Sequence, residues 1–519
     1  MRTRPNAFSK KGVVSSSSLQ SSTVGARVLE SGGNIVDAAI ATSATLCVTQ
    51  NNLCSLGGDT FMLLKIDGKP VVNLNGSGRA FESMTIEHFL ELGIKKLPSR
   101  GKDSVITVPG LVKSWEDIHK KYGTMEVSDL MNYAYKYAKE GFPITQNYSS
   151  SIESSAKYLS GYENWKSIFL RGNAVPEPGT VFKQKDLAET FAGLKSDGLS
   201  SFYDGHLADK IVNGLNDLNV EISSDDLRKH KSTFQPPLKT EYQGYTVYET
   251  APNSQAATVI LWLNMLELKE SNPNLRDTLE TGHIAYLQRD KFIADPDFYP
   301  LPENFLTKQF ASELLKNNKF PSSAGRGFGD RGDTTFFSIT DTEGNSISVV
   351  QSNYLGFGSG IVPRGTGFVL QNRGSYFSLD PHHHNALKPG KRTFHTLCAA
   401  IIEDDSGYIA SIGSMGGDIQ PQLHIQLIMG LMNNRKDPQL VIDTPRWAFP
   451  YTIYEIPNTL MVESEDLMEE IKKIYPAREV KNVGISPHLG QAQISLRLPD
   501  GVAIGGSDSR GDGISIPAD

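Results

Sequence analysis

The chain has 519 residues, 39% hydrophobic and 21% charged, enough for a large core in an ordinary globular protein. A net charge of −7 leaves no cationic surplus for a phosphate backbone, so no nucleic-acid partner is expected. The basic start MRTRPNAFSKKG meets no apolar h-region, no stretch reaches about 18 uninterrupted apolar residues, and cysteine is limited to Cys47, Cys54 and Cys398, so we expect no membrane partner and a cytoplasmic location.

In chain order, residues 21–49 carry a helical pattern broken at Gly32-Gly33, with Asn34 and Asp37 placed to cap the second helix. TFMLLKIDGKPVVNL reads as two strands around the turn Asp67-Gly68. VITVPG is expected to be a strand, followed by helices from Leu111 and near Leu130. Residues 151–240 are mixed, with helices at 187–194 and 208–215; YQGYTVYETA returns to strand and 256–266 to helix. Helical character then continues through Ile284 and Leu287 until Pro296. Residues 317–333 (NNKFPSSAGRGFGDRGD) are polar and glycine-rich, without a period, and are expected to be a loop. Immediately afterwards TTFFSITD and SISVVQSNY form a predicted hairpin about Glu343-Gly344-Asn345. Further strands are expected at 366–370, 398–402, 408–412, Val441 and 493–496, with a helix over 423–432. Lys388–Arg392 is expected on a surface loop. Helices and antiparallel hairpins interleaved in this way suggest an α/β protein with helical layers over sheets, and no clean linker divides it.

The loop-to-strand junction carries candidate chemistry. A threonine hydroxyl is a poor nucleophile at neutral pH and needs a nearby base. A chain cut before Thr334 creates that base in the same residue, because a free α-amine titrates near 7.7–8. No G-x-S-x-G elbow and no H-E-x-x-H zinc motif is present. The residues alone leave open that Thr334 and Thr335 simply begin a strand, where threonine is common.

The ordered set GGNIVDAA, SLGGDTFML, VPGLVKSWEDIHKKYG, ADPDFYP, DTTFFSITDTEGNSISV, GFGSGI, SMGGD, DTPRW and GSDSRGDG resembles the gamma-glutamyltransferase family of N-terminal-nucleophile hydrolases over nearly the whole chain. The resemblance implies a four-layer αββα sandwich with antiparallel central sheets. It implies self-cleavage between Asp333 and Thr334, with Thr335 the competing position. A large fragment 1–333 and a small fragment 334–519 would stay intertwined as one unit. Thr334 is then the nucleophile, Ser352 its hydrogen-bonding tuner, and Gly416 and Gly417 the oxyanion donors. Glycine suits that task because backbone N–H groups can approach developing charge with no Cβ in the way. His395 and Thr396 stand where the family has two serines touching substrate or oxyanion.

Departures fall on substrate recognition. Tyr376, beside Ser375, stands at the acidic position that takes a substrate ammonium, and Arg373 replaces an amide side chain. Where the family places its carboxylate-binding arginine the sequence reads Gly76-Ser77-Gly78-Arg79-Ala80, so either Arg79 reaches the site from two residues away or Ser77 leaves the position neutral; Tyr354 stands where asparagine is frequent. Arg373 suits a carboxylate, since its fork can make a bidentate contact. The short loop FSLDPHHHNALKPGKR favours water over an amine acceptor. His382–His384 are adjacent and cannot all point into one site, so no metal or cofactor is expected. Asp295 and Asp297 are expected to fix a turn. The first expectation is hydrolysis or transfer of γ-glutamyl amides such as glutathione, through an acyl-enzyme on Thr334. The alternatives are an acylase or small amide-acid amidohydrolase, and an uncut noncatalytic binding protein. The partners are a small, anionic amide substrate and water or an amine.

Overall fold

A computed structural model describes residues 2–269, 273–317, 333–449 and 459–519. Two seven-stranded sheets form the centre, and their named strand pairs are all antiparallel. The first runs in the order Ile514–Ala518, Gly12–Ser16, Asp333–Asp341, Ser346–Tyr354, Asp59–Lys65, Val72–Gly76 and Thr233–Gln235. The second runs Ala7–Ser9, Ala503–Ser507, Ala492–Arg497, Ile409–Ser414, Ala400–Glu403, Tyr245–Glu249 and Leu238–Tyr242. Both sheets contain strands from before and from after residue 333, so neither side of that junction owns a sheet. Helices Leu19–Glu30 and Ile35–Thr49 cover the first sheet; Ala257–Glu267, Gln420–Asn433 and Pro438–Asp443 cover the second. This is the αββα sandwich.

Local chemistry explains the layers. Helix Ile35–Thr49 is buried at every residue, which its small side chains allow, and Asn34 caps it by accepting from Val36 and Asp37 N–H while Asp37 accepts from Asn34 N–H. Such a cap contributes about 1 kcal/mol. Side chains alternate along Asp333–Asp341. Phe337 and Ile339 join the core under the helices, whereas Phe336 packs between the sheets with Phe61, Val350, Leu397 and Ala399. Beyond Phe336 the space between the sheets is polar and small: Thr340 meets the Ser346 hydroxyl at 2.6 Å and that of Ser495 at 2.8 Å, and Ser346 meets Ser411 at 2.7 Å.

Several sequence expectations need correction. VITVPG is not a strand; only Thr107 makes an isolated bridge, to Ala80. Residues 366–370 form no strand either, Leu370 alone bridging Gly57. Val441 lies in helix Pro438–Asp443, which Asp437 caps through the Leu440 N–H with Pro438 at its start. Lys391 and Arg392 are buried rather than surface residues, because Lys391 Nζ donates to the carbonyls of His384 and Ala386 and Arg392 Nε to that of Ser77. Of the segment 317–333 expected to be a loop, Asn317 ends a helix, Asp333 begins a strand, and residues 318–332 lie outside the described residues.

Candidate active site

Thr334 and Thr335 are both buried at the start of their strand, but they face opposite ways. Asp333 pairs with Tyr354 and Thr335 with Gln351, so the neighbouring strand carries one extra residue opposite Thr334. Ser352 lies in that irregular stretch. Its hydroxyl donates to the Asp333 carbonyl oxygen at 2.6 Å and accepts from Thr334 Oγ1 at 3.3 Å and from Tyr354 N–H at 2.7 Å. Thr335 instead donates to the Gln351 carbonyl at 3.4 Å. The hydroxyl beside the Asp333–Thr334 bond is therefore that of Thr334. Here the two residues are joined, so the geometry is that of the uncut chain.

The glycine pair approaches from the second sheet. A Cβ on Gly413 would lie 2.4 Å from the Phe336 ring, which fixes a close crossing of strands Ile409–Ser414 and Asp333–Asp341. Ser411 marks the far end of that crossing, through Ser346 and Thr340. Continuing past Gly413, the chain heads for the end of strand Asp333–Asp341 where Thr334 sits. Gly416 has φ +142° and Gly417 φ +56°, and a Cβ on Gly416 would come within 2.7 Å of Ile419. The Gly416 carbonyl accepts from Ile419 N–H and the Gly417 carbonyl from Gln255 Nε2. Among the described residues the N–H groups of Gly416 and Gly417 have no acceptor.

Arg373 stands beside this loop system at 1% exposure. Its Nη1 donates to Thr396 Oγ1 at 2.9 Å, and its guanidinium lies over the rings of Tyr354 (4.4 Å) and Tyr376 (5.6 Å). Nε and Nη2 are buried with no hydrogen-bond partner, and no carboxylate lies within ion-pair reach among the described residues. Burial lowers the Arg373 pKa, partly offset by Tyr376, Tyr354, Asp59 and Asp418. Gln255 links Thr396 to the glycine pair, since its Nε2 donates to the carbonyls of Thr396 (2.7 Å) and Gly417 (3.0 Å). Arg289 donates both to Gln255 Oε1 and to Asp418 Oδ1, while Tyr376 donates to Asp418 Oδ2 at 2.7 Å. His395 is fully buried, with Nε2 3.2 Å from Asp59 Oδ2. Burial and the nearby Arg373 charge hold His395 well below the usual imidazole range.

Thr334, Ser352, Tyr354, Arg373, Tyr376, Thr396 and the glycine pair are thus brought into one connected group. Two expected binding residues stand apart. Arg79 donates to Asp297 at 3.1 Å and to the Gly390 carbonyl, with Asp295 3.8 Å away; among the described residues no hydrogen bond or ion pair links it to the Arg373 group. Ser375 turns its hydroxyl back to the Asn372 carbonyl at 2.8 Å. Asp295 does fix a turn, its carbonyl accepting from Phe298 and Tyr299 N–H. Sequence reasoning missed Asp59, Gln255, Arg289 and Asp418. Asp59 and Asp418 sit inside the quoted motifs LGGD and MGGD, so a signal existed; Gln255 and Arg289 carried none. A cavity of about 740 Å³ adjoins the junction, lined by Asp333, Gly356, Met415, Arg100, Asn147 and Asp512 among others.

A buried threonine at the head of a central strand, in an αββα sandwich, is the signature of the threonine-nucleophile class of N-terminal-nucleophile hydrolases, autoprocessing enzymes of hydrolase and acyltransferase type. The chain belongs to the gamma-glutamyltranspeptidase family, whose model matches residues 21–518. It is 35% identical over 517 residues to the glutathione hydrolase-like YwrD proenzyme of Bacillus subtilis, covering 98% of each chain. It is 31% identical over 501 residues to the oxamate amidohydrolase proenzyme of Klebsiella pneumoniae, covering 94% of each. Among solved structures, a cephalosporin acylase from Bacillus halodurans superposes with a TM-score of 0.91 at 31% identity, over 100% of this chain and 97% of that one.

Proposed function

We propose that this protein hydrolyses small amides whose acyl group carries a carboxylate, and that Arg373 holds that carboxylate. The observation that carries the reading is the buried Arg373 guanidinium, which offers Nε and Nη2 with no partner among the described residues. A buried cation without a counter-ion is costly, and an anionic ligand relieves the cost. Self-cleavage falls between Asp333 and Thr334 and leaves fragments 1–333 and 334–519 paired. The freed Thr334 amine takes the proton from its own hydroxyl, which attacks the amide carbon. The N–H groups of Gly416 and Gly417 receive the oxyanion, and the amine departs towards the cavity beside Asp333. Water then releases the acid from Thr334.

γ-Glutamyl amides, which the family resemblance places first, also need a partner for their ammonium. Tyr376 stands at that position and commits its hydroxyl to Asp418, which Arg289 already neutralises. This favours acyl groups with a carboxylate and no ammonium. The names of two relatives, an oxamate amidohydrolase and a cephalosporin acylase, fit an acyl pocket open to change within this family. We place the activity in the cytoplasm, in keeping with three buried cysteines that form no disulfide.

The test is a substrate panel on processed protein: oxamate, and the p-nitroanilides of succinate, glutarate, γ-glutamate and butyrate. Turnover of oxamate, succinyl or glutaryl substrates above both γ-glutamyl and butyryl is expected. Preference for γ-glutamyl overturns the reading in favour of the glutathione type, and preference for butyryl removes the carboxylate site.

A further inference from the structure

We propose that Asp59 and His395 make carboxylate capture proton-linked: an anionic acyl group enters the Arg373 pocket together with one proton from solvent, which the buried pair holds. The inference rests on the reading that Arg373 receives the substrate's carboxylate.

Asp59 begins strand Asp59–Lys65 and is 1% exposed. Its Oδ1 accepts from Gly78 N–H (3.0 Å), Gly110 N–H (3.1 Å) and Gln371 Nε2 (2.8 Å), and its Oδ2 faces His395 Nε2. The Leu397 N–H points at His395 Nδ1, at 3.4 Å, which leaves Nε2 as the protonated nitrogen of a neutral ring. Every neighbour of Asp59 is therefore a donor, which favours its ionised form against the opposing cost of burial. The charged and titratable groups acting on it are Arg373, Arg392, Tyr203 and His395. Arg392 is already engaged by the Ser77 carbonyl and the Thr233 hydroxyl. Tyr203 gives its proton to the Pro109 carbonyl. Arg373 is the cation whose field keeps Asp59 charged, and neither arginine comes within 4 Å of it to form an ion pair.

A ligand carboxylate on Arg373 takes up that field. Two carboxylates then share one buried cation, a state in which one of them is driven to protonate. The ligand's carboxylate holds the arginine's donors, so Asp59, backed by an imidazole, yields. Oδ2 and His395 titrate as one unit, whose charge goes from −1 to 0: the incoming proton goes to Nδ1, the Nε2 proton passes to Oδ2, and the long Leu397 N–H contact is given up. Burial already pushes Asp59 up to about 7, with Arg373 the leading opposing influence, so a modest loss of that field suffices at neutral pH. A merely structural Asp59, tying together the turns at Gly78 and Gly110, would show no such link.

The experiment follows the ratio of kcat/KM for the better of succinyl- and glutaryl-p-nitroanilide over that for butyryl-p-nitroanilide, from pH 5.5 to 9. The ratio cancels the titration of the Thr334 amine, which both substrates share. It is expected to be level below about pH 7 and to fall about tenfold per pH unit above it. Asp59→Asn holds it at the low-pH value throughout. Should that variant fold poorly, calorimetry on the wild type at pH 8, titrating succinate in two buffers of different ionisation enthalpy, reads the uptake directly, and nearly one proton per succinate is expected. Arg373→Met separates the two ideas. If it leaves the ratio unchanged, the carboxylate reading itself fails. A ratio that depends on Arg373 but is level across the whole range, with no proton uptake, keeps the carboxylate site and overturns the proton link.

Discussion

The hydroxyl of Ser352 lies 2.6 Å from the carbonyl oxygen of Asp333, the carbonyl on the N-terminal side of the bond before Thr334. It donates its one proton to that oxygen and accepts the Thr334 hydroxyl at 3.3 Å. On the proposed self-cleavage, Ser352 is thus placed to polarise the bond before Thr334 and then to steady the proposed nucleophile. Ser352→Ala is expected to slow self-cleavage on the order of a hundredfold, the usual effect of losing one donor to a developing oxyanion. Fragment yield against time on denaturing gels checks this. Cleavage at the wild-type rate would assign polarisation to another donor.

Gly416 is required by two independent constraints, φ +142° and a Cβ position 2.7 Å from Ile419. Gly416→Ala imposes about 1–3 kcal/mol of strain and turns the N–H groups of the loop off target. We expect kcat to drop by on the order of tenfold or more with KM little changed. A variant with unaltered kcat would move the oxyanion site elsewhere.

How much of this was legible in the sequence depends on where the geometry is encoded. The hairpin around Gly344 and the Asn34 cap lie in short motifs with a local physical cause, whereas Ser352 and the glycine pair are singled out only by the family resemblance. Asp437 followed by Pro438 is a local signal for helix Pro438–Asp443, and Val441 by itself carries no period that separates helix from strand. The bridge from Arg289 to Gln255 to Gly417 joins residues far apart in sequence, through contacts that no periodicity records. Arg79 is one of two alternatives the sequence leaves for the carboxylate position, and its donors reach Asp297 and the Gly390 carbonyl. The buried arginine with open donors is Arg373, and burial is a tertiary property.

Arg373→Met should split activity from stability. A charge-assisted contact contributes about 1.5–3 kcal/mol, so kcat/KM for carboxylated anilides should fall by roughly 10- to 150-fold while butyryl turnover holds. The empty protein, relieved of a buried cation with no ion pair, should melt at a higher temperature than wild type. Equal loss on both substrates, with a lower melting point, would make Arg373 a structural residue.

The Asp59 carboxyl also leaves a mark on stability against pH. Its pKa is raised from 3.8 to about 7 by burial, with Arg373 opposing, so between these values the folded state holds a proton that the unfolded chain has released. Its contribution is therefore fully present below about pH 4, lost as pH rises through about 7, and constant above. Denaturation midpoints of Asp59→Asn relative to wild type, measured from pH 4 to 8, should diverge across that window in favour of the variant as pH rises. Parallel curves would mean that Asp59 does not titrate there.

Intact-mass measurement and N-terminal sequencing of the purified, active protein most directly test the proposal that Thr334 becomes an N-terminal nucleophile. The account predicts two fragments, the second starting at Thr334, and a Thr334→Ala protein that stays whole and turns over no amide. An active wild-type chain unbroken between Asp333 and Thr334, or ordinary turnover by Thr334→Ala, would contradict it.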